Sequence, residues 1–510
     1  MNAFSRRGAC PALSAPMQTG DGLLVRLNPV AGGLSPRSLV GLGESALRHG
    51  NGIMEVTARG SLQIRGLTAE SARLLAAEVD ALGIAVRTGV PVEIGPLAGI
   101  DPQEVADPRP LAERIRAAID EAGLAARLGP KVSVIVDGGG QLAMDALTAD
   151  VRLKAVRAGG ELLWRVSVGG DSRSARPLAL VDGDAARDIA VAALRMVAER
   201  GREAHTRDLT ERQLVSLASW HSFAPPSVLP DISPTRGEIG SFAAGSPSGA
   251  HPHFATSAIG ETGGDSAISP LVGEMSGPPS AAAAQLLRRT GRTEGGAVER
   301  QRSPVGLFDL ANDHALGIGL PFGSMPAQPL IELVRQVLQR GSTEIRLAPG
   351  RALLFLGLSS SACASLQTSA ATLGFVTSPA DPRTRIAACP GAPACASARI
   401  AARAIAETIA TESADLFDTS ITLHISGCAK GCAHPGPAAL TLVGDENGAG
   451  LVVDGTAKAL PAGYRPGYDA ARGVAGIATA IRSARHPGET AAACLARLGA
   501  AGVAELYRRN

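Results

Sequence analysis

The chain has 510 residues, enough for two or three domains with sizeable cores. Its 49 Lys and Arg against 47 Asp and Glu leave a net charge of +2, which points neither to nucleic acid nor to an acidic membrane surface. Aromatic residues are 3% and hydrophobic residues 45%, so the cores must be built from Leu, Val, Ile and Ala.

Arg6 and Arg7 are followed by Gly8-Ala9-Cys10-Pro11, which breaks any signal-like apolar run. No window of about 18 residues is apolar and free of charge, so no membrane span is expected. Seven cysteines in so long a chain do not make a disulfide framework. A cytoplasmic, reducing compartment is the expectation.

In chain order, residues 22–27 read as a strand. Residues 35–48 read as a helix with Ser35 as N-cap and Pro36 at the first helical position. Strands follow at 53–57 and 61–65 around Arg59-Gly60, and a helix at 68–82 is stopped by Gly83. The same β-α-β-β-α order returns at 317–320, 327–340, 343–347, 352–356 and 360–373, and Gly66-Leu67 matches Gly357-Leu358. Such a recurrence is the trace of an internal duplication.

Each copy then continues in parallel. The first gives a helix at 110–122, a strand at 132–136, the turn Gly138-Gly139-Gly140, strands at 151–156 and 162–168 and a helix at 184–200. The second gives a helix at 396–411, a strand at 421–425, a cysteine-bearing turn at 427–432, strands at 439–443 and 451–453 and a helix at 470–484. The fold class is therefore α+β, with a pseudo-two-fold arrangement. Five segments are expected: 1–90, 91–224, an aperiodic Pro/Gly/Ser/Ala-rich insertion at 225–303, 304–380 and 381–510. The insertion carries a near-repeat and His251 and His253, and is expected to be disordered.

Four cysteines fall close together as Cys389-x5-Cys395 and Cys428-x3-Cys432. They could bind zinc or an iron–sulfur cluster. Structural zinc favours C-x2-C knuckles, so gaps of five and three point rather to a cluster. Cys10, Cys363 and Cys494 lack paired spacing. His434, two residues past the last of the four, is a candidate catalytic residue, with loop orientation as the simpler role. Lys430, between two of the cysteines, would tune a cluster if it points inward. Fixed cations that could grip a carboxylate-edged ligand are Arg26, Arg59, Lys131, Arg346 and Arg351. No glycine-rich dinucleotide motif follows a strand, so nicotinamide electrons would have to come through a separate reductase.

The paired cysteines, the duplicated halves and Thr57-x-Arg59-x3-Gln63 resemble the sirohaem-dependent nitrite and sulfite reductases. Arg7-Gly-Ala-Cys10-Pro, Thr19-Gly-Asp-Gly-Leu-Leu, Pro96-Leu-Ala-Gly-Ile-Asp101, Lys131-Val-Ser-Val and Ser426-Gly-Cys-Ala-Lys-Gly-Cys-Ala-His-Pro435 are similar to one branch, the aerobic precorrin-3B synthases of cobalamin biosynthesis. That resemblance implies two ferredoxin-like half-repeats and two sulfite-reductase-type units. It implies a 4Fe–4S cluster on Cys389, Cys395, Cys428 and Cys432, and a tetrapyrrole substrate, precorrin-3A, held by residues such as Arg26, Arg59, Lys131 and Arg351.

The reaction it implies is a hydroxylation by O2 with lactone formation, driven by NADH through a partner reductase. A mononuclear non-haem iron is a further cofactor candidate. The alternatives are a sirohaem nitrite or sulfite reductase and a non-enzymatic electron-transfer module. The reductases tend to carry a K-x-K pair where this chain has Lys131 and Ser133, and an Arg-Asn pair where it reads Val92-Glu-Ile-Gly.

Overall fold

The computed structural model describes residues 11–30, 33–219 and 302–509. Cys10, His251, His253 and nearly all of the expected insertion lie outside them.

The fold is α+β, with four five-stranded sheets among the described residues. The first sheet has the antiparallel core Gly22–Leu27, Leu62–Leu67 and Ile53–Val56, edged by Met17–Thr19 and by Ser324–Pro326. The second repeats it with His314–Gly319, Ala352–Leu358 and Glu344–Ala348, edged by Gly306–Asp309 and by Gly33–Leu34. The two halves thus exchange edge strands. Met325 pairs with Met54 of the first half, and Leu34 pairs with Ile345 of the second. No sequence periodicity announces two- and three-residue strands of this kind.

The helices form where their caps direct. Ser35 Oγ accepts from the Ser38 N–H to open Pro36–His49, and Thr68 caps Ala69–Ala81 through a reciprocal pair with Ser71. Helices Pro36–His49 and Ala327–Gln339 lie together, and Gly43 leaves room for Ile331 between them. Leu39, Leu42, Leu330 and Val334 bury into one core shared by both halves. Membrane spanning is not supported by any helix among the described residues, none being long and apolar enough.

The other two sheets are mixed. In the first unit Val92–Ile94, Val134–Asp137 and Ala149–Ala158 are parallel, then Glu161–Gly170 and Arg176–Val181 run antiparallel. In the second unit Ile386–Ala388, Leu423–Ser426 and Ala438–Asp445 are parallel, then Gly448–Gly455 and Gly463–Arg465 complete the sheet. Each has its own buried core. The helix expected from residue 396 begins only at Ala402. Residues 396–401 are instead drawn into the cysteine loop, where Arg399 N–H donates to the Gly427 carbonyl at 2.7 Å. The C-terminal helix Ala491–Arg509 was not foreseen, although it closes the second core with Val503 and Tyr507.

Candidate active site

Both cysteine pairs sit at the carboxyl ends of neighbouring parallel strands. Ile386–Ala388 runs directly into Cys389, and Leu423–Ser426 runs through Gly427 into Cys428. Carboxyl ends of parallel strands are where α/β sheets place ligands, because the loops there diverge and leave backbone groups free.

Here the loops are held close. Cys395 N–H donates to Gly391 O at 2.8 Å, and Gly427 N–H donates to Cys389 Sγ at 3.1 Å. A side chain on Gly427 would meet Ala398 Cβ at 2.6 Å, so the loops can approach only because that position is glycine. Ser426 Oγ donates to the Cys428 carbonyl, and Lys430 Nζ reaches Ser397 Oγ at 2.8 Å, tying the second loop to the first. Lys430 therefore fastens the loops.

The four thiols are electrostatic neighbours. Although Cys432 lies on the exposed side of the loop, partial burial of its sulfur pushes the thiol up, and Cys428, Cys389 and Cys395 push it further, against Lys430. Burial likewise raises Cys389, against the opposing N–H groups of Gly427 and Gly391. Among the described residues no three His, Cys, Asp or Glu side chains close on a point that would hold one metal ion. A single zinc draws its thiolates to about 2.3 Å, whereas a multi-iron cluster spreads them over several metal atoms. Thiols near enough to raise one another electrostatically and an N–H aimed at the Cys389 sulfur are compatible with a cluster spread over several metal atoms.

The first unit treats the equivalent place differently. Its loop 95–108 folds over the Gly138–Gly140 turn, and Val105 N–H donates to Gly138 O at 2.8 Å. Side chains on Gly138 and Gly140 would lie 2.2 Å from Ala106 O and 2.4 Å from Asp101 Oδ2. The space that the cysteines surround in one copy is filled by backbone in the other. Buried there, Glu104 has its carboxyl pushed up to about 7, with Asp101 and Asp107 adding to the effect of burial.

The two half-repeats differ in the same sense. One face of the first sheet carries Arg26, Glu55, Gln63 and Arg65, with Gln63 paired between Arg26 and Glu55. The positions 291 residues on are Gly317, Arg346, Leu354 and Leu356, and there Leu354 and Leu356 pack against Leu97 and Leu142. So one of two quasi-equivalent faces is polar throughout, whereas on the other Arg346 is the one charged member of the four and Leu354 and Leu356 fill the space.

The polar face meets the cysteine unit. Arg65 grips Asp21 with Nε at 3.0 Å and Nη2 at 2.9 Å, and also donates to the Ala394 carbonyl at 2.8 Å. Burial works against the Asp21 charge, but Arg65 and Thr19 outweigh it and hold the carboxyl below its usual range. Arg403 of the cysteine unit pairs with Glu55 at 2.5 Å. Gly20 N–H donates to Ala394 O, and a side chain on Gly20 would lie 2.6 Å from Pro393 O. The Thr19-Gly20-Asp21-Gly22 turn is thus the seat of the first cysteine loop.

Of the residues expected from sequence, Arg26 lies on this face and donates to Gln63 Oε1 at 3.1 Å. Arg351 has a left-handed backbone (φ 68°) and donates to Ala433 O, between Cys432 and His434. Burial brings its pKa down to about 10, with Arg403 contributing. Arg59 turns to the other unit, donating to Glu93 Oε2 and Thr148 O at 2.8 Å and to Ser133 Oγ at 3.4 Å. Lys131 is exposed, as is the Cys432 side of the loop. His434 Nε2 donates to Pro437 O at 3.1 Å, which orients the loop.

Sequence reasoning passed over Arg65, Glu55 and Arg403, and read His424 as a structural residue on a strand. His424 is fully buried, edge-on to His434 with ring centroids 5.8 Å apart, and neither ring nitrogen has a hydrogen-bond partner. Burial brings its pKa to about 4, with His434 and Arg351 adding to it. Which unit covers the face of Arg26, Gln63 and Arg65 was not legible in the sequence.

Residues 15–82 match the family profile described as the nitrite/sulfite reductase ferredoxin-like half domain. The NirA protein of Mycobacterium tuberculosis has the same fold, with a TM-score of 0.63 at 17% identity over 94% of this chain and 84% of its own. A precorrin-3B synthase from a Sinorhizobium species is 36% identical over 509 residues, covering 100% of this chain and 96% of that protein. With that identity running from end to end, across the cysteine loops and both half-repeats, the chain belongs to the precorrin-3B synthase family.

Proposed function

We propose that this chain is an oxidoreductase that hydroxylates precorrin-3A with O2 at the ring-junction meso carbon and closes a lactone, giving precorrin-3B. The observation that carries this reading is the single polar sheet face beside the four-cysteine loops. A carboxylate-edged macrocycle needs fixed cations on a rigid platform. Arg26 stands on such a platform, which Arg65 stiffens by tying Asp21 to the Ala394 carbonyl, and Lys131 is an exposed cation, whereas leucines pack over the quasi-equivalent face.

Cys389, Cys395, Cys428 and Cys432 would hold a 4Fe–4S cluster, which when bound supplies electrons one at a time. The chain's own residues do the rest. Arg65 and Gly20 fix the first cysteine loop, Arg351 and Lys430 fix the second, and the buried Ile386, Ile400 and Leu423 exclude water beneath them. Hydroxylation by O2 consumes two electrons and two protons and releases the second oxygen atom as water. No nucleotide-binding loop is evident in the sequence, so a separate reductase drawing on NADH is the donor in this reading.

A nitrite or sulfite reductase reading is disfavoured by Arg59. Its guanidinium is engaged by Glu93 and Ser133 and is not offered to a small inorganic anion. Precorrin-3A turnover under ¹⁸O₂ with a reductase and NADH tests the proposal. One labelled oxygen in the product is expected. Absence of turnover, with nitrite or sulfite consumed instead, would overturn it. Lys131→Ala should weaken substrate binding about tenfold, the size of one charge-assisted hydrogen bond to a carboxylate, with iron content unchanged.

A further inference from the structure

A cavity of about 290 Å³ lies along the edge strand Val92–Ile94, between the first unit and both half-repeats. Five arginines line it. Arg59 is paired with Glu93 at 2.8 Å, Arg346 with Glu344 at 2.7 Å and Arg109 with Asp107 at 2.7 Å. Arg87 and Arg116 are different. Both donate to one acceptor, the Val92 carbonyl, at 3.4 and 2.9 Å, and neither makes a carboxylate ion pair among the described residues. Arg87 Nε is buried with no partner.

Two guanidiniums converging on one carbonyl repel each other and lose hydration together. Such an arrangement is costly unless an anion completes it. Burial holds both below the usual guanidinium range, and Arg87 itself depresses Arg116.

We propose that Arg87 and Arg116 form an oxyanion-binding subsite in this cavity, one that takes a carboxylate or phosphate group. The volume suits a small oxyanion or one acidic arm of a larger ligand, not a whole macrocycle. Paired arginines present parallel N–H donors, which match the two oxygens of such a group. Arg59, paired with Glu93, forms a wall of the cavity; Glu93 also attracts Arg87 and Glu113 attracts Arg116, but neither carboxylate reaches ion-pair distance of these two among the described residues.

The test compares the full chain with Arg87→Gln, Arg116→Gln and the double variant. Inorganic phosphate and uroporphyrin are titrated separately by calorimetry. Phosphate binding that weakens at least tenfold in the double variant supports a site for a free oxyanion. No phosphate binding, with uroporphyrin binding weakened at least tenfold, supports a site for a tetrapyrrole's carboxylate arm. Equal binding of either probe by all variants, or binding of neither probe by the unaltered chain, overturns the proposal. The phosphate titration does not depend on the reaction proposed above, so the two readings fail separately. In anion-free buffer the single variants should unfold at the same or a higher temperature, because an unbalanced buried charge is removed. A lowered midpoint would make the two arginines structural and also overturn the proposal.

Discussion

The main-chain N–H of Gly350 donates to the carbonyl of Ala58 at 2.9 Å, joining the hairpin turns of the two half-repeats tip to tip. From this contact the neighbouring arginines part. Arg59 reaches Glu93 and Thr148 in the first unit, and Arg351 reaches Ala433 in the second. The junction therefore sets where each unit stands relative to the polar sheet face. A side chain on Gly60 would lie 3.0 Å from the Ala348 carbonyl carbon, at a backbone φ of +77°. Gly60→Val should lower the unfolding midpoint by the several degrees that strain and crowding of about 1–3 kcal/mol imply.

The cysteine loops make a prediction about composition. Replacing any of Cys389, Cys395, Cys428 or Cys432 by Ala should abolish the cluster's EPR signal and lower bound iron and sulfide. Cys363→Ala should leave iron and sulfide unchanged, since Cys363 is buried in the shared core away from the loops. Full iron in all four loop variants would remove the cluster from the reading.

Gly20 tests whether the first half-repeat seats the first cysteine loop. Its added methyl group in Gly20→Ala would meet Pro393 O and Ala396 N at 2.6 and 2.8 Å, both of them backbone atoms that cannot swing away. The variant should fold but lose iron faster under chelator challenge, at least several-fold in rate. An unchanged rate would separate the turn from the cluster.

Arg65 and Glu55 are nearly fully buried, with side chains 5% and 6% exposed. Removing one partner of such a network leaves the other charge buried and uncompensated. Arg65→Ala should cost about 3–5 kcal/mol in denaturant unfolding, far above the roughly 1 kcal/mol ceiling for an exposed pair such as Arg335 with Glu44. Glu55→Ala should act in the same direction.

Glu104 predicts a pH dependence. Its folded pKa is raised from 4.5 to about 7, so the protonated form is the one the fold prefers. Its favourable contribution is complete below about pH 4.5 and is lost as the pH rises through about 7. Glu104→Gln should match the unaltered chain near pH 4. It should exceed it in stability above pH 7, by on the order of 1–2 kcal/mol once solvent screening is allowed for. Curves that stay parallel from pH 4 to 8 would show that this carboxyl does not titrate in that window.

Much of the fold was legible in the chain because it is local. Ser35 and Thr68 announce their helices by capping chemistry, Gly83 stops one with a φ of +68°, and the β-α-β-β-α order recurs after 291 residues. The cysteine spacing, 389 to 395 and 428 to 432, marked the loops without any coordinates. What only the tertiary structure decided rests on contacts between residues hundreds of positions apart. Sequence could not say that Ser324–Pro326 and Gly33–Leu34 change places between sheets, because two- and three-residue strands carry no periodicity of their own. Nor could it say that Arg65, 329 residues before Ala394, anchors the cysteine loop while Arg59 turns away from it. A cation's role depends on which carboxylate or carbonyl the packed halves bring beside it, and that is set only when both copies close around their shared core.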